Sequence, residues 1–249
     1  MSPQCVIVVP CYNEAHRLPV REFHRFLSTT SDTSFIFVND GSKDATLDTL
    51  TALRQGYEDT IEVLDRPVNA GKGEAVRVGL LRALENSSAS FVGFWDADLA
   101  TPLDTIPELL GILLERAEIQ MVFGARVKLL GRNIERRAVR HYLGRLFATA
   151  VSVALRLPIY DTQCGAKLFR ASPELREILK EPFGSRWVFD VEILARFIRL
   201  RNRDMQSVMC AIYEFPLRAW KDIAGSKVRP RDFFRAFRDV VRIYFRYIA

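Results

Sequence analysis

The feature that most limits what this chain can fold into is a rhythm in its first half. Short β-rich apolar runs (Val6–Val9, Phe35–Val38, Ile61–Leu64, Phe91–Trp95 and Met121–Phe123) alternate with segments of helical spacing (Val20–Leu27, Ala45–Leu53, Gly73–Leu84 and Thr105–Leu114). The runs read as buried strands. Strand–helix alternation of this kind predicts an α/β fold, with a mostly parallel sheet covered on both faces. Such sheets bind ligands in the crevice beyond the carboxyl ends of their strands. Each motif of the first half falls at one of those ends.

The second half is less regular. A basic stretch from Arg126 to Arg145 leads into an apolar helix ending near Leu155, and irregular segments follow at Asp161–Phe169 and Arg186–Glu192. The latter continues as a helix to about Leu200, a strand is expected over Ser207–Phe215, and a helix over Pro230–Ile248 closes the chain. With no repeat or low-complexity linker, 249 residues suit one continuous main domain over 1–229, with a basic amphipathic helix over 230–249.

Composition narrows the class of ligand. The net charge of +6 and pI of about 9.3 suit nucleic acid, an anionic membrane or phosphorylated ligands, and choose none of them. Cys5, Cys11, Cys164 and Cys210 form no CxxC pair, which argues against structural zinc and for reduced thiols. The longest later apolar run, Leu146–Leu155, falls short of the ~20 residues a spanning helix needs. No signal peptide is visible, so the expectation is a cytoplasmic protein that lies on a membrane if it meets one.

Strand one ends in Pro10-Cys11-Tyr12-Asn13-Glu14, where a ring and a carboxylate can stack on a base and hold a ribose, or simply make a turn. Strand two ends in Asn39-Asp40-Gly41-Ser42, in which Asp40 suits base binding while Ser42 or Asp44 suits a helix cap. Asn69-Ala70-Gly71-Lys72-Gly73 opens the third helix, where backbone amides favour anions. It lacks P-loop spacing, and no strand runs into GxGxxG, which removes the main support for a nicotinamide or flavin site.

Trp95-Asp96-Ala97-Asp98 is the sharpest signal. Two carboxylates leave an apolar strand one residue apart, and their unpaired burial would cost several kcal/mol. A divalent cation such as Mg²⁺ or Mn²⁺ explains them, since it takes hard oxygens from carboxylates and from a diphosphate. The other explanation is a solvated loop.

Pro-x-Tyr-Asn-Glu, Asn-Asp-Gly-Ser, Asn-x-Gly-Lys-Gly and Asp-Ala-Asp, in that order, resemble the GT-A fold of the family-2 glycosyltransferases. Asp161-Thr162-Gln163-Cys164-Gly165-Ala166-Lys167-Leu168-Phe169, Arg186-Trp187-Val188-Phe189-Asp190-Val191-Glu192 and Gly225-Ser226-Lys227 resemble the dolichyl-phosphate β-glucosyltransferases, with the polyprenyl-phosphate mannosyltransferases close by. The resemblance spans roughly residues 4–245. It implies an inverting hexosyl transfer from a nucleotide-sugar, UDP-glucose in the nearer branch, to a polyprenyl or dolichyl phosphate, with Mg²⁺ or Mn²⁺ as cofactor.

The roles implied are as follows. Pro10, Tyr12, Glu14 and Asp40 bind the nucleoside; beside Asp96, Ala97 and Asp98, the residues themselves suggest Gly71 and Lys72 for the donor site, and Trp187 either packs on the sugar or belongs to the core. Asp96 and Asp98 hold metal and diphosphate, with Asp98 the more direct ligand. Asn39 stands where many relatives have an Asp, and Ala100 where some mannosyl relatives have a metal-binding Gln. Arg126, Arg136 and Arg140 are candidates for the acceptor phosphate, a guanidinium matching phosphate oxygens bidentately; the alternative is a solvated basic face.

A phosphate acceptor, with second pKa about 6, is already mostly dianionic and needs positioning more than deprotonation. Asp161 and Asp190 then orient sugar hydroxyls or arginines, or one of them serves as base. Phe234, Phe237, Val241, Phe245 and Ile248 share one side of the last helix beside Arg231, Arg235, Arg238, Arg242 and Arg246, as in an in-plane interfacial helix. A helix packed on the core with a wet basic face fits as well. A hydroxyl acceptor, GDP-mannose as donor, or a non-catalytic nucleotide-binding module are the competing functions. Nucleic acid is not expected, because no RNA-binding motif is present.

Overall fold

The computed structural model describes residues 4–86, 88–135, 138–223 and 230–249, apart from the side chains of 138–141 and 230–234. Its first half follows the expected alternation: β1 (Cys5–Cys11), α1 (Val20–Thr29), β2 (Thr33–Asp40), α2 (Thr46–Arg54), β3 (Ile61–Arg66), α3 (Lys72–Glu85), β4 (Phe91–Trp95), α4 (Ile106–Glu115) and β5 (Met121–Ala125). The second half adds β6 (Asn133–Glu135), α5 (Ala138–Leu155), β7 (Ala166–Arg170), α6 (Pro173–Leu179), α7 (Phe189–Leu200), α8 (Met205–Cys210), β8 (Ile212–Pro216), β9 (Ala219–Lys221) and α9 (Pro230–Ile243).

Seven strands form one sheet in the order β3-β2-β1-β4-β7-β5-β8, while β6 and β9 pair apart from it. Every pairing in the large sheet is parallel except those of β7, which runs antiparallel between β4 and β5. The uniform apolarity of β1 has a direct cause. Cys5, Ile7, Val9 and Cys11 face a core with residues of α1, α2 and α4, and Val6 and Val8 face a second core with residues of α3, α5, α6 and α7. Burying both sides of a strand removes the polar alternate, as parallel sheets require.

Three segments depart from the sequence reading. The stretch Asp161–Phe169, expected to be irregular, contains β7. The strand expected over Ser207–Phe215 is divided: the Asp204 carboxylate accepts the Gln206 and Ser207 amides and starts α8, and only from Ile212 does the chain join the sheet. Helix α6, capped by Ser172 accepting the Leu175 amide, was not anticipated.

The last helix forms where it was expected. Its apolar side is split between core and solvent. Val240, Ile243 and Tyr247 are buried, and Phe147 of α5 meets Phe237 edge-on at 5.6 Å. Val241 and Phe245 face outward, and the helix ends in a π-helical turn over Tyr244–Ile248. Burial of each inward side chain contributes about 1.5–3 kcal/mol. Tyr247 Oη donates to Glu192 Oε1 at 2.9 Å, and Ser185 Oγ donates to Asp239 Oδ2 at 2.8 Å. These contacts pin the chain terminus to α7 and to the loop before it.

Candidate active site

The carboxyl ends of β1, β2 and β4 lie side by side, and the motifs converge there. Asp40 ends β2 almost wholly buried. Its Oδ1 accepts the Ala70 amide at 3.0 Å and Arg66 Nη1 at 3.1 Å, and its Oδ2 accepts the Gly71 amide at 2.8 Å. The carboxylate therefore shapes the loop Asn69–Gly71. Gly71 sits at φ +97°, where a β-carbon would also strike the Arg186 side chain. Asn39 donates through Nδ2 to Asp65 Oδ1 at 2.7 Å, whereas its Oδ1 is buried without a hydrogen-bond partner among the described residues. A ligand N–H there would relieve a desolvation cost of about 1–3 kcal/mol.

Beyond that loop, Lys72 opens α3 with its Nζ 2.5 Å from Asp96 Oδ1. Asp96 follows β4, and its amide donates to the Gly165 carbonyl at 3.0 Å. A β-carbon on Gly165 would fall on the Asp96 carboxylate, so the backbone before β7 can lie beside it only because residue 165 has no side chain. Burial works against the charge of Asp96, yet Lys72, then Lys167 and Arg126, outweigh it and hold its carboxyl below the usual range. Asp98 has the opposite balance: burial and the neighbouring Asp96 raise its pKa despite the Ala100 amide and Arg17.

Arg17, on the turn after β1, reaches Asp98 Oδ2 with Nη2 at 3.0 Å. The side chain of Ala97 packs into the core, leaving only its backbone to meet a ligand.

On the far side, Arg126 Nε and Nη2 grip Asp161 Oδ2 and Oδ1 at 2.6 and 2.8 Å, with the guanidinium 5.3 Å from the Trp220 ring. Lys167, 0% exposed within β7, places Nζ 2.6 Å from Asp190 Oδ1. Burial raises the pKa of Asp190 against the pull of Lys167 and Lys72. The pairs are near enough to act on one another: Asp96 is stabilised by Lys72, Lys167 and Arg126 alike.

Trp187 is 44% exposed on the loop before α7, while Pro10 ends within β1 and Tyr12 and Glu14 follow it, half-buried. The structure thus gathers Asp40, Gly71, Lys72, Asp96, Asp98, Arg126, Asp161 and Asp190 about one crevice. Arg136 and the side chain of Arg140 lie outside the described residues, as does Gly225-Ser226-Lys227.

Three neighbours of these carboxylates had been given no role: Arg17, which lies in no motif, and Gly165 and Lys167, which entered only as letters of the run Asp161–Phe169. The available signals were an arginine three residues past Glu14, and a lone lysine inside an apolar run.

The sheet order and the reversed β7 are those of a GT-A fold. Crystal structures of glucosyl-3-phosphoglycerate synthase from Mycobacterium tuberculosis share the fold. The complex with Mn²⁺, UDP and glucosyl-3-phosphoglycerate gives a TM-score of 0.67 at 22% identity, covering 98% of this chain and 80% of that one. The complex with Mn²⁺ and UDP-glucose gives 0.67 at 21% identity, over 98% and 79%. The family model described as "Glycosyl transferase family 2" matches residues 6–175, and the chain belongs to that family. Among its relatives, the dolichyl-phosphate beta-glucosyltransferase of Homo sapiens is 32% identical over 100% of this chain and 77% of its own length. One from Trichomonas vaginalis is 32% identical over 96% and 71%.

Proposed function

We propose that this glycosyltransferase moves glucose from UDP-glucose to a polyprenyl phosphate of the dolichyl type, with inversion at the anomeric carbon. The relatives' names point to sugar and acceptor. The observation that carries the chemistry is the pair Asp96 and Asp98 at the end of β4, with Lys72 2.5 Å from the first.

The donor set fits a divalent cation: both carboxylates are hard oxygen ligands and both are partly open to solvent. No group of three or more His, Cys, Asp or Glu suited to a metal occurs among the described residues. Asp96 and Asp98 would therefore hold Mg²⁺ or Mn²⁺ together with diphosphate oxygens and water. When bound, the metal supplies Lewis-acid stabilisation of the departing diphosphate.

Pro10, Tyr12, Glu14 and Asp40 form the proposed nucleoside subsite, Asp40 acting through the loop it holds. Gly71, Lys72, the Ala97 backbone and Trp187 line the rest of the donor. An acceptor phosphate oxygen attacks the anomeric carbon as the bond to the diphosphate breaks, and the electron pair leaves with the diphosphate. The acceptor is already ionised, so no side chain need take a proton. Asp161 orients Arg126, which with Arg136 and Arg140 grips the phosphate; Asp190 orients the sugar.

A membrane surface suits such an acceptor. No helix among the described residues is long and apolar enough to cross a membrane. On α5, Tyr142 and Leu146 are outward-facing and apolar, as are Val241 on α9 and Phe245 on the turn after it. Arg238 and Arg242 stand exposed beside them, a composition suited to anionic lipid.

The test is UDP release by the purified protein with UDP-glucose, Mn²⁺ or Mg²⁺ and a short polyprenyl phosphate. Acceptor-dependent release and a glucosyl-lipid product are expected, and Asp98→Ala should lose about 100-fold or more while keeping its circular dichroism. Release from GDP-mannose alone would change the donor. Transfer only to a hydroxyl acceptor would overturn the phosphate acceptor.

A further inference from the structure

Arg17 belongs to no recognised motif, yet its guanidinium crosses to the end of another strand. The turn that carries it is closed by the Arg17 and Leu18 amides, which donate to the Glu14 carbonyl at 2.9 Å each. From there Nη2 donates to Asp98 Oδ2 at 3.0 Å, while Nε stands 3.6 Å from Glu14 Oε2. Across the crevice Lys72 Nζ is 2.5 Å from Asp96 Oδ1. Each carboxylate of the Asp-x-Asp pair thus carries one of the chain's own cations. These four side chains remain between 23% and 35% exposed, so a ligand can reach every one of them.

Charge decides what enters such a cluster. Glu14, Asp96 and Asp98 set against Arg17 and Lys72 leave one net negative charge. A divalent cation alone must compete with a guanidinium and an ammonium already in contact, and would turn the cluster net positive. A diphosphate alone meets the carboxylates. Metal and a doubly charged diphosphate together restore the original charge, and each displaced cation gains a new anion. At contact distances of 2.5 to 3.0 Å that difference persists in spite of partial solvent screening. The planar fork of an arginine suits phosphate oxygens as well as it suits a carboxylate.

We propose that Arg17 is a ligand of the donor diphosphate stored on Asp98, with Lys72 its counterpart on Asp96, and that metal and diphosphate consequently bind as a pair. The proposal rests on the donor site described under Proposed function. Both cations hang on flexible aliphatic stems, so the exchange needs side-chain rotation and no movement of the sheet. Glu14, still beside Nε, keeps Arg17 near the crevice while Nη2 changes partner.

The experiment is a Mn²⁺ titration followed by the loss of the free-ion electron paramagnetic resonance signal. Wild type, Arg17→Gln, Arg17→Lys and Asp98→Asn are each measured with and without UDP, against UDP in buffer alone. Thermal midpoints establish that the variants are folded. Wild type is expected to bind Mn²⁺ about tenfold or more tightly with UDP than without it. Arg17→Gln should bind Mn²⁺ alone several-fold more tightly and UDP several-fold more weakly, so that the enhancement shrinks. Arg17→Lys should fall between the two.

Equal Mn²⁺ affinity with and without UDP in wild type would overturn the pairing. So would an Arg17→Gln protein that loses Mn²⁺ and UDP affinity in equal measure, the result expected of an arginine that only braces the turn. Wild type that binds neither ligand, or Asp98→Asn that binds both normally, would overturn the donor-site reading and this proposal with it.

Discussion

A lysine inside a five-residue buried strand needs a reason to be there, and Lys167 has three. Its ammonium pairs with Asp190, donates to the Cys164 carbonyl, and lies 5.1 and 5.0 Å from the rings of Phe94 and Phe123. Removing one partner of such a pair leaves an uncompensated buried charge, at a cost of about 3–5 kcal/mol. Gly165 illustrates the opposite constraint, a place where nothing may be added. Gly165→Ala would drive a methyl into the Asp96 carboxylate. Overpacking of that kind costs about 1–3 kcal/mol, so the variant should fold with a lowered thermal midpoint. Its transferase activity should fall about 100-fold, since displaced ligands misplace the diphosphate. Near-normal turnover would show that Asp96 tolerates displacement.

The carboxylates Asp40, Asp96 and Asp98 were legible because an acidic residue at the end of an apolar run is conspicuous locally, whereas Asp190, in the first turn of α7, was reached only through the resemblance. Their partners were not legible. Arg17 meets Asp98 from 81 residues away, and no local pattern announces that contact.

Among elements, the first five strands and their helices were readable because burial on two faces leaves an uninterrupted apolar run. β7 was hidden by its own chemistry: its lysine interrupts the run, and Gly165 before it suggests a loop. β8 was blurred with α8, since only Ala211 stands between the end of the helix and the start of the strand. β8 also carries Glu214, whose two oxygens accept the Tyr160 and Asp161 amides at 2.7 and 2.8 Å and so anchor the segment that holds Asp161.

Burial, reinforced by Asp161, raises the Glu214 pKa above the ordinary 4.5 in spite of those amides. The folded state then binds more protons than the unfolded one between 4.5 and the raised value, so stability from this group declines as pH rises through that interval. Glu214→Gln does not titrate. The midpoint of the variant relative to wild type should therefore climb as pH goes from about 4 to about 7. A constant difference across that range would show that the group does not titrate differently on folding.

At the scale of the molecule, α5 and α9 lie against each other and turn apolar residues outward, with Tyr142 74% and Phe245 70% exposed. The loop holding Arg186 and Trp187 is tied to α9 through Ser185 and Asp239, so the outward face and the crevice share a support. Co-sedimentation with mixed phosphatidylcholine and phosphatidylglycerol vesicles should capture the wild type at low salt and release it at high salt. Val241→Glu with Phe245→Glu should weaken capture about tenfold, leaving turnover on a soluble short-chain acceptor intact. Failure of the wild type to sediment with anionic vesicles would remove the membrane surface from the proposal.

What the sequence by itself determined is the set of properties that arise within a few residues. These are the period of the buried runs, the parallel α/β class that follows from them, and the placing of motifs at strand ends. The tertiary structure alone decided which cation faces which carboxylate, where β7 inserts, and which half of the last helix is wet. Those outcomes depend on distances between segments remote along the chain. Charge pairing and burial act on such distances, and a one-dimensional pattern does not contain them.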